Sequence, residues 1–101
     1  MKTIVEDKDG LITVEFEGLM DTKTTPQVEE ALKPLFTSDS KEIVIDCSKL
    51  EYVASSGLRV FLSIALDAQS TGRHATVKGV NEFIHNVFEM TGFLDLFDFE
   101  S

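Results

Sequence analysis

The sequence predicts an α/β fold: one domain with a mixed, mostly parallel β-sheet, opened by an antiparallel hairpin, and three or more helices packed mainly on one face. Three observations predict it. Asp9-Gly10 separates two short strand patterns, a strong two-residue hairpin signal. Ile43-Val44-Ile45 is an apolar run without alternation, as in a strand buried on both faces under helices. From there on, strand and helix patterns alternate, which implies right-handed crossovers and parallel neighbours.

The elements follow in order. Residues 3–8 and 11–17 read as the hairpin strands, with Val5 facing Val14 and with Ile12, Val14 and Phe16 on one buried side. Residues 18–23 read as a loop. A helix is expected over 25–36: Thr24 or Thr25 can cap it, Pro26 suits its first turn, and Val28, Leu32 and Leu35 recur at helical spacing. Residues 42–47 form the buried strand. The next helix is expected over 56–71, with an apolar stripe of Leu58, Phe61, Leu62, Ala65 and Leu66, and Gly72 ends it. A short strand over 75–78 follows. Asn81 then caps a helix that runs to about Thr91, where Gly92 stops it, with Phe83, Ile84, Val87 and Phe88 as its apolar face. A last short strand or extended tail covers 96–99.

Composition narrows the function classes. A chain of 101 residues suits one domain, residues 1–101, and 43% hydrophobic content is enough for a core. The net charge of −9 disfavours nucleic acid and anionic membrane surfaces. It serves solubility, or steers the chain toward a basic patch on a protein partner. No apolar run approaches the roughly 18 residues of a transmembrane helix, and the N-terminus lacks the apolar stretch of a signal peptide. A single cysteine, Cys47, permits no internal disulfide and fits a reducing compartment, so the expected location is the cytoplasm.

The informative segment lies between the buried strand and the long helix, at residues 46–59. Two hydroxyls and a glycine, Ser55, Ser56 and Gly57, stand where that helix begins. Backbone N–H groups and the helix dipole stabilise an anion at such a place. The plainer reading is that Ser55 or Ser56 is only an N-cap. Other sites carry less. His74 and His85 have no cysteine or acidic residue at a metal-ligand spacing, so no metal site is expected. His85 is expected at the edge of its helix's apolar face. A triad of Ser55, a histidine and Asp46 lacks the G-x-S-x-G elbow. Cys47 has Val53 where a phosphatase loop needs arginine, and a buried thiol is its expected fate. No P-loop or G-x-G-x-x-G occurs, and no cofactor is expected. The apolar tail of Phe93, Leu94, Leu96, Phe97 and Phe99 reads as core packing.

The arrangement Asp46-x-Ser48, then Val53-x-Ser55-Ser56-Gly57-Leu58 opening a helix, resembles the signature of STAS domains, most closely the anti-anti-sigma factors (anti-sigma factor antagonists). Gly18-Leu19-Met20-Asp21 is similar to that family's loop before its first helix, and Gly92-Phe93-Leu94-Asp95-Leu96-Phe97 to its ending. The resemblance implies a non-enzymatic binding protein that captures an anti-sigma factor and so releases a sigma factor. It implies that the anti-sigma factor is also a serine kinase of the histidine-kinase-like ATPase fold. That kinase modifies the first serine of the motif, Ser55, and a PP2C-type phosphatase reverses the step. Ser56 is the competing acceptor. Asp21, Ser55, Ser56, Gly57 and Arg59 are the implied partner-binding residues. Where many phosphorylated members carry aspartate before the serine, this chain has Ala54, a departure that bears on kinase recognition. An unphosphorylated STAS scaffold on a membrane transport or signalling complex is the alternative.

Overall fold

The computed structural model of the chain describes residues 1–100. Strands β1 (Lys2–Lys8) and β2 (Leu11–Met20) pair antiparallel, with Val5 opposite Val14. Asp9 and Gly10 join them at φ 54° and 81°, the left-handed pair that a type I′ turn requires. Ile12, Val14 and Phe16 are fully buried, as their alternation demands.

β2 runs three residues past its expected end, and β3 (Glu42–Val53) runs on past Cys47. Each extension supplies the other's backbone bonds: Gly18 pairs with Leu50, Leu19 with Tyr52 and Met20 with Val53, all parallel. The register slips twice, each time with one extra residue on β3, so β3 is bulged. Asp46 Oδ1 braces the first bulge by accepting the Ser48 N–H at 2.9 Å and the Ser48 hydroxyl at 2.7 Å. The N–H bond, more than the hydroxyl, holds the Asp46 carboxyl below the usual carboxylate range. Burial of β3 on both faces is not found. Ile43 and Ile45 are fully buried, but Val44 between them is half-buried, with Thr13 and Thr76 as its lateral neighbours on the opposite face.

In place of one helix over 25–36, two short ones form, α1 (Thr25–Ala31) and α2 (Lys33–Thr37), parted at Leu32. Pro34 is the cause: it has no N–H for the Glu30 carbonyl, and its ring crowds that oxygen. Val28, Leu32 and Leu35 are still fully buried, so the apolar spacing survives the break. Helix α3 (Ser55–Thr71) ends at Gly72, φ 70°. Its expected stripe is only partly right. Phe61 and Ala65 are buried, Leu58 and Leu62 are half-buried, and Leu66 is 53% exposed. The buried line is Gly57, Val60, Phe61, Ile64, Ala65 and Ala68. The small residues in that line let the helix backbone lie close to the sheet.

β4 (His74–Lys78) pairs parallel with β3. Asn81 Oδ1 accepts the Ile84 N–H at 2.8 Å and caps α4 (Glu82–Thr91). Of the expected apolar face of α4, Ile84 and Phe88 are buried, Val87 is half-buried and Phe83 is exposed. A 3-10 turn (Phe93–Asp95) leads to β5 (Asp98–Glu100), parallel to β4. β5 starts later than 96 because Phe97 turns into the core instead, at 7% exposure. The sheet order is β1-β2-β3-β4-β5. Phe61 sits centrally, edge-on to Phe16, Phe88 and Phe97.

Candidate functional site

The site lies at the carboxyl ends of β2 and β3, where parallel sheets collect their functional loops. The Ala54 N–H donates to the Met20 carbonyl at 2.8 Å. That bond sets the chain leaving β2 beside the chain entering α3. Asp21 follows at once. Its Oδ1 accepts the N–H groups of Lys23 and Thr24, both at 3.0 Å, and its own N–H donates to Thr24 Oγ1 at 2.9 Å. Chiefly through the Thr24 N–H, this turn holds the Asp21 carboxyl below the usual range. The expected caps of α1 therefore work differently. Thr24 occupies the N-cap position without a side-chain bond to the helix, and Asp21 closes the turn ahead of it. Thr25, nearly buried, donates its hydroxyl to the Asp21 carbonyl at 2.6 Å and lies 3.1 Å from Ser56 Oγ.

At the start of α3 the N-cap is Ala54, in extended conformation and with no side chain able to cap. Ser55 is thus the first helical residue. The simple cap reading fails for both serines. Ser55 is exposed, and its hydroxyl has no hydrogen-bond partner among the described residues. The helix's first backbone bond is Leu58 N–H to the Ala54 carbonyl, 3.0 Å. The N–H groups of Ser55, Ser56 and Gly57 are the unfilled donors every helix start carries, and they favour negative charge there. Ser56 is half-buried, with its hydroxyl against Thr25.

Gly57 is buried. A Cβ there would stand 2.6 Å from Val53 Cγ2 and 2.9 Å from Met20 Cγ and Sδ. Its part in any surface is indirect: it lets α3 sit down on the ends of β2 and β3. Arg59 is exposed, one turn beyond Ser55, and forms no ion pair among the described residues. The structure thus brings the Asp21 turn, Ser55, Ser56 and Arg59 to one end of the sheet. Met20 and Val53 read in sequence only as motif positions, and Thr25 only as a candidate cap; in the structure they join the two halves. Nothing in their spacing signals a contact across thirty residues of chain.

The other candidates lie apart from this end or are engaged. Burial, and behind it the Asp46 charge, pushes the Cys47 thiol up to about 12, so it stays protonated. His74 does have acidic partners, which the fold brings from other strands: Nδ1 lies 2.8 Å from Glu42 Oε2, and Nε2 meets Asp98. Each ring nitrogen faces its own carboxylate, and no metal-holding cluster occurs among the described residues. Asp46 is committed to Ser48, and His74 to Glu42 and Asp98; neither reaches Ser55. His85 is exposed. Among the described residues no helix is long and apolar enough to cross a membrane.

The family model of the STAS domain matches residues 2–101. The chain is 28% identical over 96 residues to the anti-sigma-B factor antagonist of Staphylococcus aureus, covering 95% of this chain and 87% of that protein. A crystal structure of an anti-sigma factor antagonist from Mycobacterium paratuberculosis superposes with a TM-score of 0.85 at 26% identity, covering 97% of this chain and 83% of that one. The Bacillus cell fate determinant SpoIIAA, in its phosphorylated form, shares the fold at a TM-score of 0.76 and 13% identity, covering 99% of this chain and 92% of that one. A family model that matches essentially the whole chain means that this protein belongs to the STAS domain family.

Proposed function

We propose that this chain is a cytoplasmic anti-sigma factor antagonist, switched off by phosphorylation of Ser55. Unmodified, it binds a cognate anti-sigma factor through the surface of Asp21, Ser55, Ser56 and Arg59, and the sigma factor is released. The anti-sigma factor is itself a serine kinase with the histidine-kinase-like ATPase fold, and a PP2C-type phosphatase restores the binding form. The observation that carries the choice of residue is the contrast between neighbours. Ser55 is exposed with a free hydroxyl, whereas Ser56 is half-buried against Thr25.

The physics of the switch is local. A phosphate adds about −1.5 to −2 charges and three acceptor oxygens. At the start of α3 those oxygens meet N–H groups with no other partner, so the fold is retained. A partner surface built for a neutral serine has no counter-charge for a dianion, which must stay wet or be paired, so binding fails. With Ala54 before the serine, no carboxylate stands next in sequence to repel the incoming phosphate. Ala54 also supports the second reading, an unphosphorylated scaffold, because a kinase that reads an acidic residue there finds none.

The test is to incubate the protein with its cognate anti-sigma factor and ATP and to map the modified residue by mass spectrometry. Modification at Ser55, abolished in Ser55→Ala, is expected. Modification at Ser56 corrects the site, and no modification, together with undiminished binding by Ser55→Asp, moves the choice to the scaffold.

A further inference from the structure

Beside the candidate switch lies a feature that phosphorylation does not use. Leu19 is 49% exposed, Tyr52 41% and Phe83 49%, although all three are large and apolar. They come from three different elements and form one ridge. Leu19 and Tyr52 are lateral partners in the last rungs of β2 and β3. Tyr52 and Phe83 stack, with ring centroids 5.6 Å apart and planes at 19°. Single exposed apolar residues need no explanation, but a contiguous group at the edge of a functional site marks an interaction surface.

The ridge is rigid. Asn81 Nδ2 donates to the carbonyls of Leu50 at 3.4 Å and Glu51 at 3.3 Å, which pins the start of α4, and Phe83 with it, against the end of β3. A partner therefore meets a preformed platform and loses little free energy in ordering it. The ridge is also continuous with the switch surface: Leu19 stands two residues before Asp21, and Tyr52 three before Ser55. Its rim is acidic. Glu51 and Glu82 adjoin Tyr52 and Phe83 in sequence, Glu17 and Asp21 stand two residues to either side of Leu19, and the nearby Lys49 is paired with Glu15 at 3.4 Å. An aromatic centre inside a charged rim is the anatomy of a protein interface.

We propose that Leu19, Tyr52 and Phe83 determine which anti-sigma factor this protein accepts. The anti-sigma factor presents an apolar pocket to the Tyr52–Phe83 stack and a lysine- and arginine-rich rim to the carboxylates around it. The proposal rests on the reading of the chain as an anti-sigma factor antagonist, but not on Ser55 being modified.

The test uses the full chain and the purified cognate anti-sigma factor, with affinity measured by calorimetry and Ser55 modification by mass spectrometry. The double variant Tyr52→Ser/Phe83→Ser is expected to lose about tenfold or more in affinity, since aromatic anchors dominate interfaces, with its fold intact by circular dichroism. Wild-type affinity is expected to fall as salt is raised. If the double variant fails to fold, Leu19→Ser carries the test, because Leu19 lies outside the aromatic stack. Wild-type affinity in the folded variants, with Ser55 still modified, overturns the ridge and leaves the switch standing. Lost affinity in a system where Ser55 is never modified supports the ridge and sinks the switch. If the wild-type chain alone dimerises with concentration and the double variant does not, the ridge belongs to a second copy and the proposal is overturned.

Discussion

Ser55 and Ser56 are adjacent and chemically identical, yet the fold treats them differently. A helix start turns successive residues by about 100°, so one hydroxyl points to solvent and the next to the α1 entrance. Their presence at a helix start was legible in the sequence, because small hydroxylated residues before an apolar-periodic stretch mark it. Which of them is free was not legible, since that depends on Thr25, a partner brought in by tertiary packing. Gly57 likewise reads in sequence as part of a motif, and its reason appears only in space. A Cβ would collide with Val53, whose branched side chain has little freedom to move, and with Met20. Gly57→Val is therefore expected to cost about 1–3 kcal/mol by overpacking, read as a lowered urea midpoint, and to weaken partner binding by lifting the first turn of α3. Unchanged stability in that variant would remove the packing explanation.

At the scale of elements, the strongest local signals were fulfilled. Asp9-Gly10 made its hairpin, and Asn81 and Gly92 bounded α4 within a residue of expectation. The discrepancies have a common origin in non-local pairing. Residues 18–20 and 48–53 look like loop because they lack a regular apolar alternation and are partly polar, but each is a strand by virtue of the other. The rotation of α3 is similar. Leu58, Leu62 and Leu66 fit helical spacing as well as the true buried line does, and only the close approach permitted by Gly57, Ala65 and Ala68 decides between them. The break at Leu32 is legible in Pro34, whose missing N–H overrides the run of apolar spacing. Asn81 bears on two elements at once, capping α4 and holding the end of β3. Asn81→Ala is expected to cost about 1–2 kcal/mol, at the upper end for a lost cap, measured by chemical denaturation. A loss of a few tenths would mean that neither the cap nor the bonds to Leu50 and Glu51 contribute.

Across the whole molecule, the two ends of the sheet have separate tasks. The carboxyl ends of the strands carry the surface proposed as the switch, and the amino ends are fastened by His74, which meets Glu42 on β3 and Asp98 on β5. Asp98, and then Glu42, raise the His74 pKa above its ordinary 6.5. The stabilisation is therefore complete below 6.5 and disappears as pH rises through the raised value. Asp7, Asp21 and Asp46 have lowered pKa values and act in the opposite sense: their contribution is present above 3.8 and is lost as acid titrates them. Thermal stability should peak between these limits. His74→Gln should remove the fall on the alkaline side while leaving the acid side, and an unaltered profile would show that the clamp is idle. None of this involves Ser55, so modification there should change recognition and leave the fold alone. The most direct measurement takes one sample, fully phosphorylated at Ser55, and determines both its affinity for the anti-sigma factor and its thermal midpoint. Affinity is expected to drop about a hundredfold, roughly 2.7 kcal/mol, with the midpoint unchanged. Undiminished affinity, or a loss of affinity accompanied by unfolding, would contradict it.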